Sequence, residues 1–461
     1  MSQQRGLNRR AFLRNAGLTA LAGAAAGSPV SAAAPAGWLD AVEPINGKYD
    51  FDAIYNRVGT DSTKYDQQLR VYGKDSVQVG MGIADMDFRA APAITKALQD
   101  RMQHENWGYL DSTGPFVGSY RQGIIDWNKR RYGVPVNPDN LVLTAGVHPA
   151  LIAALQTFSP RGSKVLLLTP TYNGFYSDLD YAQVKAEESP LTLVNGRYAI
   201  DFDDFERRIS HETNTFILCN PQNPTGNCWS AADLIKLGEI CLRRRVIVLS
   251  DEIHCDFVTK GNKYTPFSTL PDKAIVANSI TFKAASKSFG LAAMKHAWMF
   301  SDNADLLARV KPNHKADLNT MGYIANHAAY AGGEDWLTQL NDYIDGNHDF
   351  AVKFINANIP LVKCVKPEGT YLAWLDVTNL AEKIDARGQA AEANRTKKPS
   401  APNLTAEQMV ERYLVKHAKV HLNQGASYGK GGANHMRMNL ATSRKMIETA
   451  LTNMAGALKN L

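Results

Sequence analysis

The chain has 461 residues, of which 44% are apolar and 21% charged, with a formal charge of +6. That size supports a large core and two domains, and the composition excludes disordered and fibrous classes. Arg5, Arg9, Arg10 and Arg14 fall in the first 32 residues, which hold no acid, so the remaining chain carries only +2. With no basic, aromatic-interleaved patch either, nucleic-acid binding is excluded as a working class.

The N-terminus reads as an export signal. Asn8-Arg9-Arg10-Ala11-Phe12-Leu13-Arg14 is a twin-arginine motif. A weakly apolar run from Ala16 to Gly27 follows, and Val30-Ser31-Ala32 offers the small residues of a cleavage site. The expectation is a signal peptide over 1–32, read by the twin-arginine machinery, and a periplasmic mature protein without stable membrane insertion. Cys219, Cys228, Cys241, Cys255 and Cys364 form an odd, scattered set that gives no disulfide framework, and no Cys/His spacing suggests a metal site.

A polar arm over 33–90 comes next. Strands and helices then alternate through 91–330. Short apolar runs bounded by turn signals predict strands at Leu141–Thr144, Lys164–Leu168, Thr215–Cys219, Val246–Ser250 and Ala274–Ala277. Helical spacing predicts helices at His148–Phe158 and Ala232–Arg243. The pattern implies an α/β fold with a mostly parallel sheet between helices. Residues 331–461 read as a smaller α/β domain, to which the arm contributes. There Pro367–Asp376 predicts a turn and a strand. The polar, Ala-rich stretch from Leu380 to Thr405 reads as a solvated linker or surface insertion, with a substrate lid as the alternative.

The loops after parallel strands gather at the carboxyl edge of the sheet, where ligands bind. Two residues at such positions carry the chemistry. Asp251 ends one apolar strand, and Lys287 follows 36 residues later in Ser286-Lys287-Ser288-Phe289. A pyridoxal phosphate (PLP) enzyme needs this pair: a lysine to hold the cofactor as a Schiff base, and a carboxylate to keep its pyridine nitrogen protonated. Lys283, one helical turn earlier, is the rival lysine. The phosphate needs backbone N–H groups at a helix start, which Gly146, Val147 and His148 supply.

Asn220-Pro221-Gln222-Asn223-Pro224-Thr225-Gly226, Asp251, Ser286-Lys287-x-Phe289 and a late Arg437 occur in that order. This resembles the class I/II aminotransferases of PLP fold type I. Arg57 to Asp66, Ile83-Ala84-Asp85-Met86-Asp87-Phe88 and Asp251-Glu252-Ile253-His254 look like the MalY/PatB group of cystathionine β-lyases. The resemblance runs from about Phe51 to Arg444. It implies a seven-stranded, mostly parallel sheet in the large domain. It also implies a cofactor site of Gly146, Val147, His148, Tyr172, Asn223, Asp251, His254, Ser286, Lys287 and Lys295, with Arg437 binding the substrate carboxylate. Tyr109 would reach the phosphate of a neighbouring subunit, which implies a homodimer with shared sites. Gly82 stands where the group has tryptophan. The activity implied is β-elimination from an amino-acid-type substrate. The alternatives are transamination or tailoring of an amine-bearing exported metabolite, such as a peptide siderophore, and a PLP-fold binding protein without catalysis.

Overall fold

The computed structural model describes residues 41–459 and 461. The expected signal peptide over 1–32 lies outside them. Seven strands form the central sheet: β1 (Leu141–Thr144), β2 (Lys164–Thr169), β3 (Lys185–Pro190), β4 (Thr213–Cys219), β5 (Ile247–Asp251), β6 (Ser279–Lys283) and β7 (Ala297–Phe300). Their order is β1-β7-β6-β5-β4-β2-β3. Five of them run as a parallel block, and β7 is antiparallel to both β6 and β1. The expected mostly parallel seven-stranded sheet of PLP fold type I is therefore present.

The strands read as apolar runs because both faces are covered. Alternate residues go to opposite sides. Val165, Leu167, Ile217, Leu249 and Ile280 pack with Leu151 and Ala154 of the helix Val147–Phe158. Leu166, Leu168, Phe216, Leu218 and Val248 pack with Leu234, Leu237 and Cys241 of the helix Ala231–Arg244. This second helix starts at a capping box, with the Ser230 hydroxyl on the Asp233 N–H and the Asp233 carboxylate on the Ser230 N–H.

One strand differs from its expected place. Ala274–Ala277 is a helix, Lys273–Ala277, and the strand follows at Ser279–Lys283. Asp272 caps the helix by accepting from Ala274 N at 2.8 Å. A continuous apolar run does not mark where one element ends and the next begins.

That short helix lies hard against the long one. A Cβ on Gly238 would collide with Cγ2 of Ile275, a fully buried β-branched side chain. Gly238→Ala is therefore expected to destabilise the fold by about 1–3 kcal/mol, because overpacking outweighs alanine's better helix propensity. Urea unfolding checks this. An unchanged midpoint would mean that the two helices part at no cost.

A second, antiparallel sheet is built from β8 (Lys363–Cys364), β9 (Leu372–Asp376), β10 (Asn423–Gln424) and β11 (His435–Asn439), in the order β8-β9-β11-β10. The arm joins this part of the fold. Val79 and Gly80 pair in parallel with Val420 and His421.

The stretch after Leu380 is not a structureless linker. It forms helices at Thr378–Lys383 and Ala386–Thr396, with a turn at 384–385 between them, and 397–405 lacks helix. Ala386 and Ala390 are buried four residues apart against the helix Ala406–Ala418. Small residues on one face let two helices approach closely, and the polar residues between them gave the segment the look of a solvated linker. None of its residues lines the cavity described next. Among the described residues, no helix is long and apolar enough to cross a membrane.

Candidate functional site

A cavity of about 640 Å³ opens at the carboxyl ends of the parallel strands. Gly146, Val147 and His148 reach it from the turn after β1. Tyr172 follows β2, Asn223 follows β4, Asp251 and His254 close β5, and Ser286 and Lys287 follow β6. Lys295 lies just before β7, and Arg437 comes across from β11. Eleven of the twelve expected site residues thus meet in one place. Tyr109, expected to serve a neighbouring subunit, is fully exposed and does not line this chain's own cavity.

Lys287 sits on the short helix Ala285–Ser288, and its Nζ donates to the carbonyl oxygen of Ala84 at 2.9 Å. Burial lowers its pKa to about 8, and the nearby Arg437 cation pushes the same way. About a tenth of the amine is therefore neutral at pH 7, far more than for an ordinary lysine, and attack on an aldehyde requires that neutral form. Lys283 ends β6 on another side of the sheet. Its Nζ donates to Asn128 Oδ1 at 3.1 Å and lies 4.0 Å from the ring centre of Tyr132. It is absent from the cavity wall.

Asp251 is 4% exposed. Burial raises its pKa to about 6, opposed by a hydrogen bond from Ile253 N at 3.1 Å and by the cations His148 and Lys287. His254 is buried as well. Burial, then Lys287 and Arg437, push its pKa well down, so the imidazole is neutral. Its Nδ1 is buried without a hydrogen-bond partner among the described residues.

Arg437 donates from Nη1 to Asn223 Oδ1 at 3.1 Å and from Nη2 to the carbonyl of Gly82 at 2.9 Å. Its guanidinium lies over the Tyr428 ring at 5.2 Å, and its buried Nε has no hydrogen-bond partner among the described residues. The segment 82–87 that meets Arg437 and Lys287 is tied down on every side. Asn439 Nδ2 donates to the carbonyls of Ile83 and Asp85 at 2.6 Å each. The fully buried Lys64 pairs with Asp87 at 2.7 Å and donates to Asp85 O at 3.0 Å, and Arg57 pairs with Asp85 at 3.0 Å. These ions are hydrogen-bonded as well as paired, which buried charges need.

Several of these partners were not legible in the sequence. The carbonyls of Gly82 and Ala84 carry no side-chain signal at all. Asp178, on the helix Gly174–Ala182, binds His148 through both carboxylate oxygens, at 2.7 and 2.8 Å. Only its position six residues after Tyr172, on the helix that follows that loop, hinted at it.

The residues present fit PLP. Gly146, at φ 144°, adopts a conformation that side chains disfavour and brings the start of a 12-residue helix to the cavity. Lys295 adds a cation on the wall. A buried carboxylate, a lysine with a depressed pKa, and unpartnered buried atoms on His254 and Arg437 complete a donor set matched to a phosphorylated pyridine aldehyde.

The comparisons agree. A family model described as aminotransferase class I and II matches residues 76–454. Cystathionine beta-lyase PatB of Bacillus subtilis (strain 168) is 36% identical over 414 residues, covering 89% of this chain and all of PatB. Protein MalY of Escherichia coli (strain K12) is 26% identical over 419 residues, covering 89% and 99%. The PLP-bound C-S lyase from Staphylococcus hominis superposes with a TM-score of 0.78 at 28% identity, covering 89% and 99%. These likenesses bear out the family read from the motifs. With that sheet, that cavity and those relatives, the chain belongs to the aminotransferase class I and II family and is a PLP-dependent enzyme with C-S lyase homologues.

Proposed function

We propose that the protein is an exported C–S lyase that cleaves a cysteine-type conjugate by β-elimination. The observation that carries this reading is the similarity to a cystathionine β-lyase over that enzyme's whole length. When bound, PLP supplies an electron sink for the carbanion formed at the α-carbon. The chain's own residues do the rest. Arg437 binds the α-carboxylate through its guanidinium fork. The Lys287 amine takes the α-proton at Nζ, for which a pKa near 8 is well placed. Ionised Asp251 would keep the pyridine nitrogen protonated, and neutral His254 offers a hydrogen bond without adding charge. The electron pair left at the α-carbon expels the β-thiolate, which takes the proton held at Lys287 Nζ, and the released enamine is hydrolysed by water to pyruvate and ammonia. No second substrate is needed, which suits an exported enzyme. Incubating purified holoenzyme with cystathionine alone tests this. Stoichiometric thiol and pyruvate are expected. Amine transfer to an added keto acid without pyruvate would overturn the reading in favour of an aminotransferase.

The working unit is proposed to be a homodimer, in which the exposed Trp107–Tyr109 loop completes the partner's site. Export is proposed to depend on the twin arginines. Replacing Arg9 and Arg10 together by lysine is expected to leave active enzyme in the cytoplasm, as fractionation would show. Undiminished periplasmic activity would overturn that route.

A further inference from the structure

His148 begins the helix on the phosphate side, yet its side chain does something separate. Its Nδ1 is gripped by both oxygens of Asp178, which is 3% exposed. Its Nε2 lies 3.4 Å from the hydroxyl of Tyr172, and the two rings are 5.6 Å apart. Both rings crowd against Gly174, where a Cβ would stand 2.5 Å from Tyr172 Cε1 and 2.8 Å from His148 Cε1. Asp178, His148 and Tyr172 therefore form one chain of contacts, from a buried carboxylate to an aromatic ring on the cofactor cavity. The arrangement is that of a buried acid fixing the tautomer and orientation of an imidazole that then acts on a third group.

We propose that Asp178 and His148 are positioning residues for the cofactor ring: Asp178 fixes the imidazole, and His148 holds Tyr172 by its hydroxyl. The inference rests on PLP binding and not on the choice between elimination and transamination. The groups facing His148 are Asp178 and Asp251, which favour its cation, and Lys287, which opposes it. Asp178 dominates and raises the His148 pKa. A protonated His148 works against the burial that lifts Asp251 to about 6, by more than the Asp178 carboxylate works with that burial. A rigid Tyr172 presents its face to the cavity without losing rotamer freedom on binding. A charged neighbour helps keep Asp251 ionised, as a protonated pyridine nitrogen requires.

Two measurements on apoenzyme titrated with PLP test this: cofactor affinity, and the pH profile of the cofactor's visible absorbance. His148→Ala and Tyr172→Phe are each expected to weaken PLP binding about tenfold, the loss of one charge-assisted hydrogen bond. Because both remove the same contact, the double variant should bind no worse than the weaker single one. Asp178→Asn keeps the shape and removes the charge, so the acid limb of the absorbance profile should move to higher pH. If Asp178→Asn does not fold by circular dichroism, His148→Gln provides the same reading. Additive losses in the double variant, or an acid limb that stays in place, would overturn the proposal. Failure of the unaltered chain to bind PLP would instead overturn the cofactor assignment itself.

Discussion

Lys287→Ala will abolish covalent attachment of PLP, with borohydride no longer fixing the cofactor to the chain. The expected loss of activity is the full catalytic contribution of a nucleophile and proton carrier, at least about a thousandfold. The structure explains why no other amine substitutes. Lys283 faces Asn128 and the Tyr132 ring, outside the cavity. Lys295 lines the cavity but is exposed and lies beyond a 3₁₀ turn, in a left-handed backbone conformation of its own. In the unaltered protein, the rate at which PLP attaches should climb with pH and level off above about 8. Burial and Arg437 lower the Lys287 pKa to that value, and only the neutral amine attacks. Peptide mapping after reduction reads the site of attachment. Reduced cofactor found on Lys283 or Lys295 in the unaltered protein would overturn the assignment.

Asp251→Asn is expected to slow α-proton exchange by about a hundred- to a thousandfold, or about 2.7–4 kcal/mol, while leaving cofactor occupancy high. The amide keeps the shape of the buried carboxylate and can still accept from Ile253 N, so the end of β5 should hold its place. What disappears is the negative charge that stabilises a protonated pyridine nitrogen. The same carboxylate sets an acid limit on the unaltered enzyme. Burial raises its pKa to about 6, and a protonated pyridine nitrogen beside it would draw that value down, so activity should fall only as the pH drops below about 6. Single-turnover exchange of a bound amino acid's α-proton, with occupancy measured separately, checks both points. Near-normal exchange at full occupancy would mean that another group faces the ring nitrogen.

Much of this site was legible because its residues sit where local patterns change. Asp251 and Lys287 each follow a buried apolar strand, and a β-strand leading into a turn leaves the same trace in any sequence. The Asn220–Gly226 motif and the glycine before the helix Val147–Phe158 mark backbone shapes that few residues adopt. The order of these landmarks along the chain was therefore enough to name the cofactor and the family.

Elsewhere the local pattern misled or was silent. The run around Ala274–Ala277 looked like one strand because apolar residues alone do not separate a capped helical turn from the strand behind it. The Ala-rich stretch after Leu380 looked solvated because its burial depends on a partner helix, Ala406–Ala418, that only packing supplies.

The sequence by itself determined the strand order's raw material, the cofactor lysine's neighbourhood and the acid that opposes it, since each is written within a few adjacent residues. The lysine itself, Lys287 and not Lys283, was already named by Ser286-Lys287-x-Phe289; the tertiary structure adds the reason, since Lys283 is turned to Asn128 and the Tyr132 ring and Lys287 lines the cavity. Only the tertiary structure decided that Arg437 meets Asn223 and the Gly82 carbonyl, more than two hundred residues away in the chain, and that Asp178 orients His148. These are long-range hydrogen bonds between groups whose sequence neighbours carry no record of them, and they exist only once the two sheets and their connecting loops have packed.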